Sequence, residues 1–253
     1  MLDIRKFIIY LAVKYQGDWD LIYSAIKEKE EFDEDEIERT CIKVGEEVIT
    51  IIDEDYPFSL KKIYKPPFVL FYRGNKGLLY LYDHKYIAFV GSRDVSSYAE
   101  KATRKIISDL EGEKVVIISG LAKGVDVISH KACLDHHINT IAILGTGIDR
   151  CYPIENLLVY ERLKKEGLIL SEYAFNNTIK DSFPKRNRII AGLASSLVVC
   201  EAKERSGTLI TVNYALNQGK EVYSIPSSIF EDSCNNELIS DGATILKNGK
   251  DLL

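Results

Sequence analysis

The sequence predicts an α/β fold: a mostly parallel, Rossmann-like sheet with helices on both faces, preceded by a small N-terminal helical domain. Three observations predict it. Apolar runs of strand length recur from residue 86 onward, rich in Val and Ile and mostly unbroken by charge. Such runs mark strands buried on both faces. Segments of helical length separate them, and strand–helix alternation builds parallel sheets. Ahead of them, the first 56 residues carry apolar positions at helical spacing instead.

In chain order, Ile4, Phe7, Ile8, Leu11 and Ala12 repeat at helical spacing, as do Leu21, Ile22, Ala25 and Ile26. The acidic stretch 28–38 reads as a solvated turn and helix face. A connector with Tyr56-Pro57 and Lys65-Pro66-Pro67 follows, then a β-like run over 68–72 that ends at Gly74. Strands are predicted over 86–90, 115–119, 140–144, 168–172, 196–201 and 221–225. Helices are predicted over 97–110, 125–136, 154–166, 186–194 and 208–217. The resulting division is a helical domain over 1–60 and a Rossmann-like domain over 61–253. No internal repeat or low-complexity segment interrupts it.

The chain has 253 residues, of which 46% are hydrophobic, enough for a sizeable core. No apolar run approaches the ~20 residues that cross a bilayer. The charged first 13 residues do not read as a signal peptide. A cytoplasmic protein without membrane contact is therefore expected. The five cysteines are scattered without a CxxC pair, and the four histidines lack zinc-ligand spacing. Reduced thiols and no metal are expected. The net charge of −5 is uneven: residues 1–75 hold 11 Lys/Arg and 16 Asp/Glu, whereas residues 76–253 hold 22 of each. A nucleic-acid site must then be a local basic cluster in the second part.

Ligands of such sheets bind outside the carboxyl ends of the strands. The loops there are Gly91-Ser92-Arg93, Gly120-Leu121-Ala122-Lys123-Gly124, Gly145-Thr146-Gly147, Ser171-Glu172-Tyr173 and Glu201-Ala202. Glycine lets a backbone approach a phosphate, and a following helix start offers free N–H groups. The first loop has one glycine where a dinucleotide site wants three, and no P-loop pattern occurs, so neither NAD nor ATP is expected as a cofactor. Ser206 sits in a glycine loop without a histidine at a neighbouring strand end. His130 falls within a predicted helix and reads as a packing residue, so a catalytic triad is not expected. Phe183-Pro184-Lys185-Arg186-Asn187-Arg188 crowds three cations and an amide at a helix start. A solvated face is the ordinary reading of such a run. Here it precedes an apolar helix that must pack on the sheet, and Arg93 and Lys123 point to the same edge. Three cationic loops converging there would bind phosphates, with Arg forking two oxygens and Lys adding point charge.

Several blocks resemble the DNA-processing protein A family (DprA, also called Smf). They are Phe89-Val90-Gly91-Ser92-Arg93; Ser119-Gly120-Leu121-Ala122-Lys123-Gly124-Val125-Asp126 with His130; Leu144-Gly145-Thr146-Gly147-Ile148-Asp149 with Tyr152-Pro153; Phe183 through Ile190; Ser206-Gly207-Thr208-Leu209-Ile210-Thr211; and Asn236 through Ala243. They occur in order across about residues 56–246. The resemblance implies a protein that binds single-stranded DNA without strong sequence preference. It further implies protection of incoming strands in natural transformation, help in loading the RecA recombinase, a homodimer and a small SAM-like helical domain in front. Carried onto this chain, Gly91, Ser92 and Arg93 would hold a phosphate. Gly120, Lys123, Gly124, Lys185, Arg186, Arg188, Ser206, Gly207 and Thr208 would line the groove, and Asn187 would either orient the arginines or contact a base. Many members continue into a winged-helix domain, and many have Pro-Gly where this chain has Pro226-Ser227.

Four or five engaged cations imply a log–log salt slope of roughly −3 to −3.5 for a single strand. Tyr98, Tyr152, Tyr173 and Phe183 are candidate stacking surfaces for bases, although each alone reads more simply as packing. Two alternatives remain. A phosphoribohydrolase-like enzyme on a related fold would carry Pro-Gly-Gly-x-Gly-Thr-x-x-Glu, but Thr211 stands at the glutamate position and supplies no charge. A sensor of phosphorylated small molecules would gain little affinity from longer strands.

Overall fold

The computed structural model describes residues 3–175 and 181–253. Helices α1 (Ile4–Lys14), α2 (Trp19–Lys27) and α3 (Glu34–Val44) open it. Each starts at an aspartate, Asp3, Asp18 or Asp33, whose carboxylate accepts first-turn N–H groups. Those donors have no partner inside the helix, so the caps stabilise the helix starts. Ile8, Ile9, Leu11, Ile22 and Ile37 are buried together between these helices and the sheet.

Strand β1 (Val48–Thr50), the short helix α4 (Phe58–Lys61) and strand β2 (Val69–Gly74) follow. The rest is strand–helix alternation: β3 (Lys85–Gly91), α5 (Ser97–Ser108), β4 (Val115–Ser119), α6 (Val125–Asp135), β5 (Asn139–Leu144), α7 (Leu157–Glu166) and β6 (Leu168–Ser171). Then come α8 (Ser182–Leu193), β7 (Ser196–Glu201), α9 (Gly207–Asn217), β8 (Glu221–Ser224), α10 (Asn235–Ser240) and β9 (Thr244–Ile245).

All these strands form one sheet in the order β1-β2-β6-β5-β4-β3-β7-β8-β9. β1 and β2 join antiparallel, and the pairs from β6 to β9 are parallel. β1 lies in the stretch read as helical from sequence. A three-residue Val-Ile-Thr segment is too short to show a period, and only its pairing with Val69–Phe71 makes it a strand. Side chains alternate along the parallel strands. On β4, Val116 and Ile118 pack with Leu60 of α4, Ile189 of α8 and Val212 of α9. Val115 and Ile117 pack with Ile107 of α5 and Cys133 of α6 on the other face. Both faces are thus apolar, which is why the strand segments read as continuous apolar runs. Burying each such aliphatic side chain contributes about 1.5–3 kcal/mol.

Helix α8 begins at Ser182, a turn before the sequence-based start at Arg186. Pro184 is accommodated because an N–H in the first turn has no helical acceptor. The cationic run therefore lies within the helix. The strand order reverses at β3, which has β4 on one side and β7 on the other. In open α/β sheets the crevice at that reversal, outside the carboxyl ends of the strands, is where ligands bind. The cysteines are free thiols, with Cys133 and Cys200 buried in the core. Among the described residues, no helix is long and apolar enough to cross a membrane.

Candidate nucleic-acid interface

A cleft of about 430 Å³ opens at that reversal. Its first wall is the loop after β3, which is tied down on both sides. Ser92 N–H donates to Glu201 O of β7 at 2.8 Å, and Val125 N–H at the start of α6 donates to Ser92 O at 3.1 Å. Ser92 Oγ closes the turn by donating to Asp94 O at 2.6 Å. The next residue, Arg93, projects into solvent with its guanidinium 5.7 Å from the Phe183 ring centroid.

The second wall is the start of α8. Arg186 is buried beneath the cleft, donating from Nη1 to Gly120 O at 2.7 Å and to Ile143 O. Its Nε donates to Asn187 Oδ1 at 3.1 Å, and Asn187 Nδ2 donates to Gly207 O at 3.3 Å. Asn187 thus links the arginine to the third wall, the start of α9 at Ser206, Gly207 and Thr208. An α-helix start presents unsatisfied N–H groups and a partial positive charge. The buried Ser206 Oγ faces this region without a hydrogen-bond partner among the described residues.

Two glycines have steric reasons. A Cβ on Gly120 would lie 2.5 Å from Asp126 Oδ2 and 2.6 Å from both terminal nitrogens of Arg186. Gly124 has φ +78°, and a Cβ there would lie 2.2 Å from Ser92 O. Both keep the loops close beneath the cleft without lining it themselves.

The buried charges are balanced. Burial pushes the Asp126 carboxyl up from the ordinary carboxylate range, with Arg186 opposing. Burial likewise lowers the Arg186 guanidinium, with Asp126 opposing. Lys203, at the cleft, lies 3.6 Å from the exposed Asp94. The cleft therefore sets three cationic side chains, Arg93, Lys203 and the buried Arg186, against two carboxylates, the exposed Asp94 and the buried Asp126. His130 is fully buried and lies outside the cleft lining, with Nδ1 2.8 Å from Thr140 Oγ1. Burial and the nearby Arg186 charge lower its pKa to about 3, so the ring is neutral.

The remaining sequence-predicted cations are placed elsewhere. Lys123 lines a neighbouring open cavity of about 770 Å³ and pairs with Glu155 at 3.1 Å. Phe183 stands between the two cavities, with its ring centroid 5.6 Å from that of Tyr152. Lys185 lies on the far side of α8, 3.6 Å from Asp18. Arg188 is buried there too, donating to Glu172 Oε1 at 2.6 Å, Lys65 O at 2.8 Å and Lys185 O at 3.0 Å. Its guanidinium is committed to this network, so the Lys-Arg-Asn-Arg run delivers Arg186 and Asn187 to the cleft and turns Lys185 and Arg188 away. Of the aromatic candidates, Tyr98 and Tyr152 are exposed, whereas Tyr173 is buried.

Three charged residues at the cleft were not among the site residues expected from the sequence. Lys203 and Asp94 are single charges in loops with no motif around them. Asp126 had a legible signal, since a carboxylate in the first turn of a helix after a glycine loop is favoured by the helix dipole.

The chain matches the family described as DNA recombination-mediator protein A over residues 47–253. It is 44% identical to DNA processing protein DprA of Streptococcus pneumoniae over 208 residues, covering 81% of this chain and 72% of that protein. An X-ray structure of DprA from the same species superposes with a TM-score of 0.81 at 35% identity, covering 98% of this chain and 91% of that one. A structure described for the single-stranded DNA binding mode of DNA processing protein A from Helicobacter pylori superposes with a TM-score of 0.73 at 29% identity, covering 83% of this chain and 95% of that one. With the blocks around Gly91, Gly120, Arg186 and Gly207 assembled at one strand-order reversal, the chain belongs to the DNA recombination-mediator protein A family.

Proposed function

We propose that this protein binds single-stranded DNA through the cleft between β3 and β7, without strong sequence preference and without catalysis. The observation that carries the reading is the convergence of the Arg93 loop, the Arg186–Asn187 pair and the start of α9 on one cleft. Each offers what a phosphodiester needs: a forked cation, a buried cation held in place, and free N–H groups. The family match and the Helicobacter pylori neighbour favour a DNA strand over a free nucleotide. The buried neutral His130 and the threonine at position 211 favour binding over acid–base chemistry.

On this reading Gly91, Ser92, Arg93, Arg186, Asn187, Ser206, Gly207 and Thr208 form the phosphate site. Gly120 and Gly124 shape its floor. Lys123 and Lys185 serve as outlying cations that exchange their carboxylate partners, Glu155 and Asp18, for phosphates of a longer strand. In the cytoplasm, a homodimer would protect incoming strands and help load RecA in transformation and recombination. The exposed Ile245 on the sheet-edge strand β9, and the exposed Ile229 and Phe230 in the loop before α10, are apolar surface suited to contact with a second copy.

The test is fluorescence-anisotropy titration of labelled oligo-dT of several lengths at two salt concentrations, for wild type and Arg93→Ala. Affinity should climb with length. Losing one engaged phosphate contact should reduce the log–log salt slope by about 0.7 and, for a charge-assisted contact, cost about 1.5–3 kcal/mol. Affinity that ignores both salt and the substitution would place the DNA elsewhere.

A further inference from the structure

A second, smaller cavity lies on the opposite side of α8. Its volume is about 150 Å³, and Trp19, Tyr64, Tyr214, Asp18, Lys65 and Lys185 are among the residues lining it. Adjacent residues of α8 face the two sites: Arg186 and Asn187 line the phosphate cleft, whereas Lys185 and Arg188 line this cavity. The two are therefore separated by little more than one helix. Only the cavity is walled by the acidic N-terminal helices.

The aromatic wall is held by its own contacts. The Trp19 ring stacks on Tyr23 at 5.0 Å and on Phe68 at 5.4 Å, and Trp19 Nε1 donates to Pro66 O at 2.9 Å. In front of this wall, Tyr64 is 74% exposed, a large ring left in solvent at the cavity rim. Lys65 Nζ lies 5.5 Å from the ring centroids of both Trp19 and Tyr64 while donating to Asp20 at 2.7 Å. The chemistry selects between the two parts of a nucleotide. Each cation lining the cavity already faces a carboxylate, Lys65 with Asp20, Lys185 with Asp18 and Arg188 with Glu172, so a phosphate placed inside would find no uncompensated positive charge. A flat ring would meet aromatic surfaces, with carboxylate oxygens available to its N–H edges and Lys185 left at the rim for the phosphate outside.

We infer that this cavity takes a nucleobase of a DNA single strand whose phosphates are held across α8 in the cleft. The inference rests on the single-stranded DNA reading above. It gives the acidic N-terminal helices a role compatible with their charge: the strand touches them through bases, which carry none. Base–aromatic stacking is tolerant of sequence because every base has a π face.

Trp19 is the only tryptophan in the chain, so its emission reports on this cavity. Titration with oligo-dT, followed in parallel by anisotropy of a labelled strand and by Trp19 emission, tests the inference on wild type, Tyr64→Ala and Tyr64→Phe, with melting curves confirming the fold of each variant. The expected result is a change in Trp19 emission that tracks binding, a loss of roughly fivefold or more in affinity for Tyr64→Ala, and near-wild-type affinity for Tyr64→Phe. Normal binding by anisotropy with unchanged Trp19 emission and a wild-type Tyr64→Ala would overturn the base site while leaving the phosphate cleft standing. A wild type that binds no oligo-dT by anisotropy overturns both.

Discussion

Replacing Arg188 by methionine separates a structural arginine from Arg93, the arginine proposed to bind DNA. The Arg188 and Glu172 side chains are each only 6% exposed, and their contact is 2.6 Å. The substitution keeps most of the side-chain volume but strands a buried carboxylate and frees the Lys65 and Lys185 carbonyls that Arg188 satisfies. Removing one partner of a buried pair costs about 3–5 kcal/mol because the remaining charge is uncompensated. For a chain of this size each kcal/mol moves Tm by about 2–4 °C, so a fall of roughly 6–20 °C is expected. The double variant Arg188→Met/Glu172→Gln removes both charges and should recover a large part of that loss, since a buried pair is often replaceable by neutral groups of similar volume. The assay is thermal unfolding beside oligo-dT anisotropy well below the melting transition. Arg188→Met should lose stability while retaining more affinity than Arg93→Ala. An unchanged Tm with a loss of affinity matching Arg93→Ala would refute the reasoning and return Arg188 to the groove.

Two further outcomes follow from the buried groups. Gly120→Ala puts a Cβ about 2.5 Å from Asp126 and Arg186. It should dislodge Arg186, lower stability by about 1–3 kcal/mol through overpacking and weaken oligo-dT binding; wild-type behaviour in both melting and anisotropy would mean that the pair does not sit under this loop. His130 has a folded pKa lowered from 6.5 to about 3, so below pH 6.5 the unfolded chain binds a proton that the folded chain refuses. Its contribution is fully present above pH 6.5 and drains away as pH falls toward 3, at up to about 1.4 kcal/mol per pH unit. Urea midpoints from pH 7 to pH 4 should decline less steeply for His130→Asn than for wild type, and equal slopes would acquit His130.

By itself the sequence determined the α/β architecture, because strands buried on both faces must be written as continuous apolar runs, as Val115–Ser119 and Ser196–Glu201 are. It also determined which loops matter, since a parallel sheet puts its strand ends on one edge and the Gly91, Gly120 and Gly207 segments follow strand ends or open helices. What it did not hold was anything that depends on pairing or direction. β1 and β9 exist only through their neighbours, as strands of three and two residues. The run from Lys185 to Arg188 looked like one basic patch, but on a helix consecutive side chains are about 100° apart around the axis. Only the packing of α8 against the sheet and against Glu172 decided that Arg186 and Asn187 serve the cleft. The same packing turned Arg188 into a buried brace and gave Lys185 to the aromatic cavity beside the N-terminal helices.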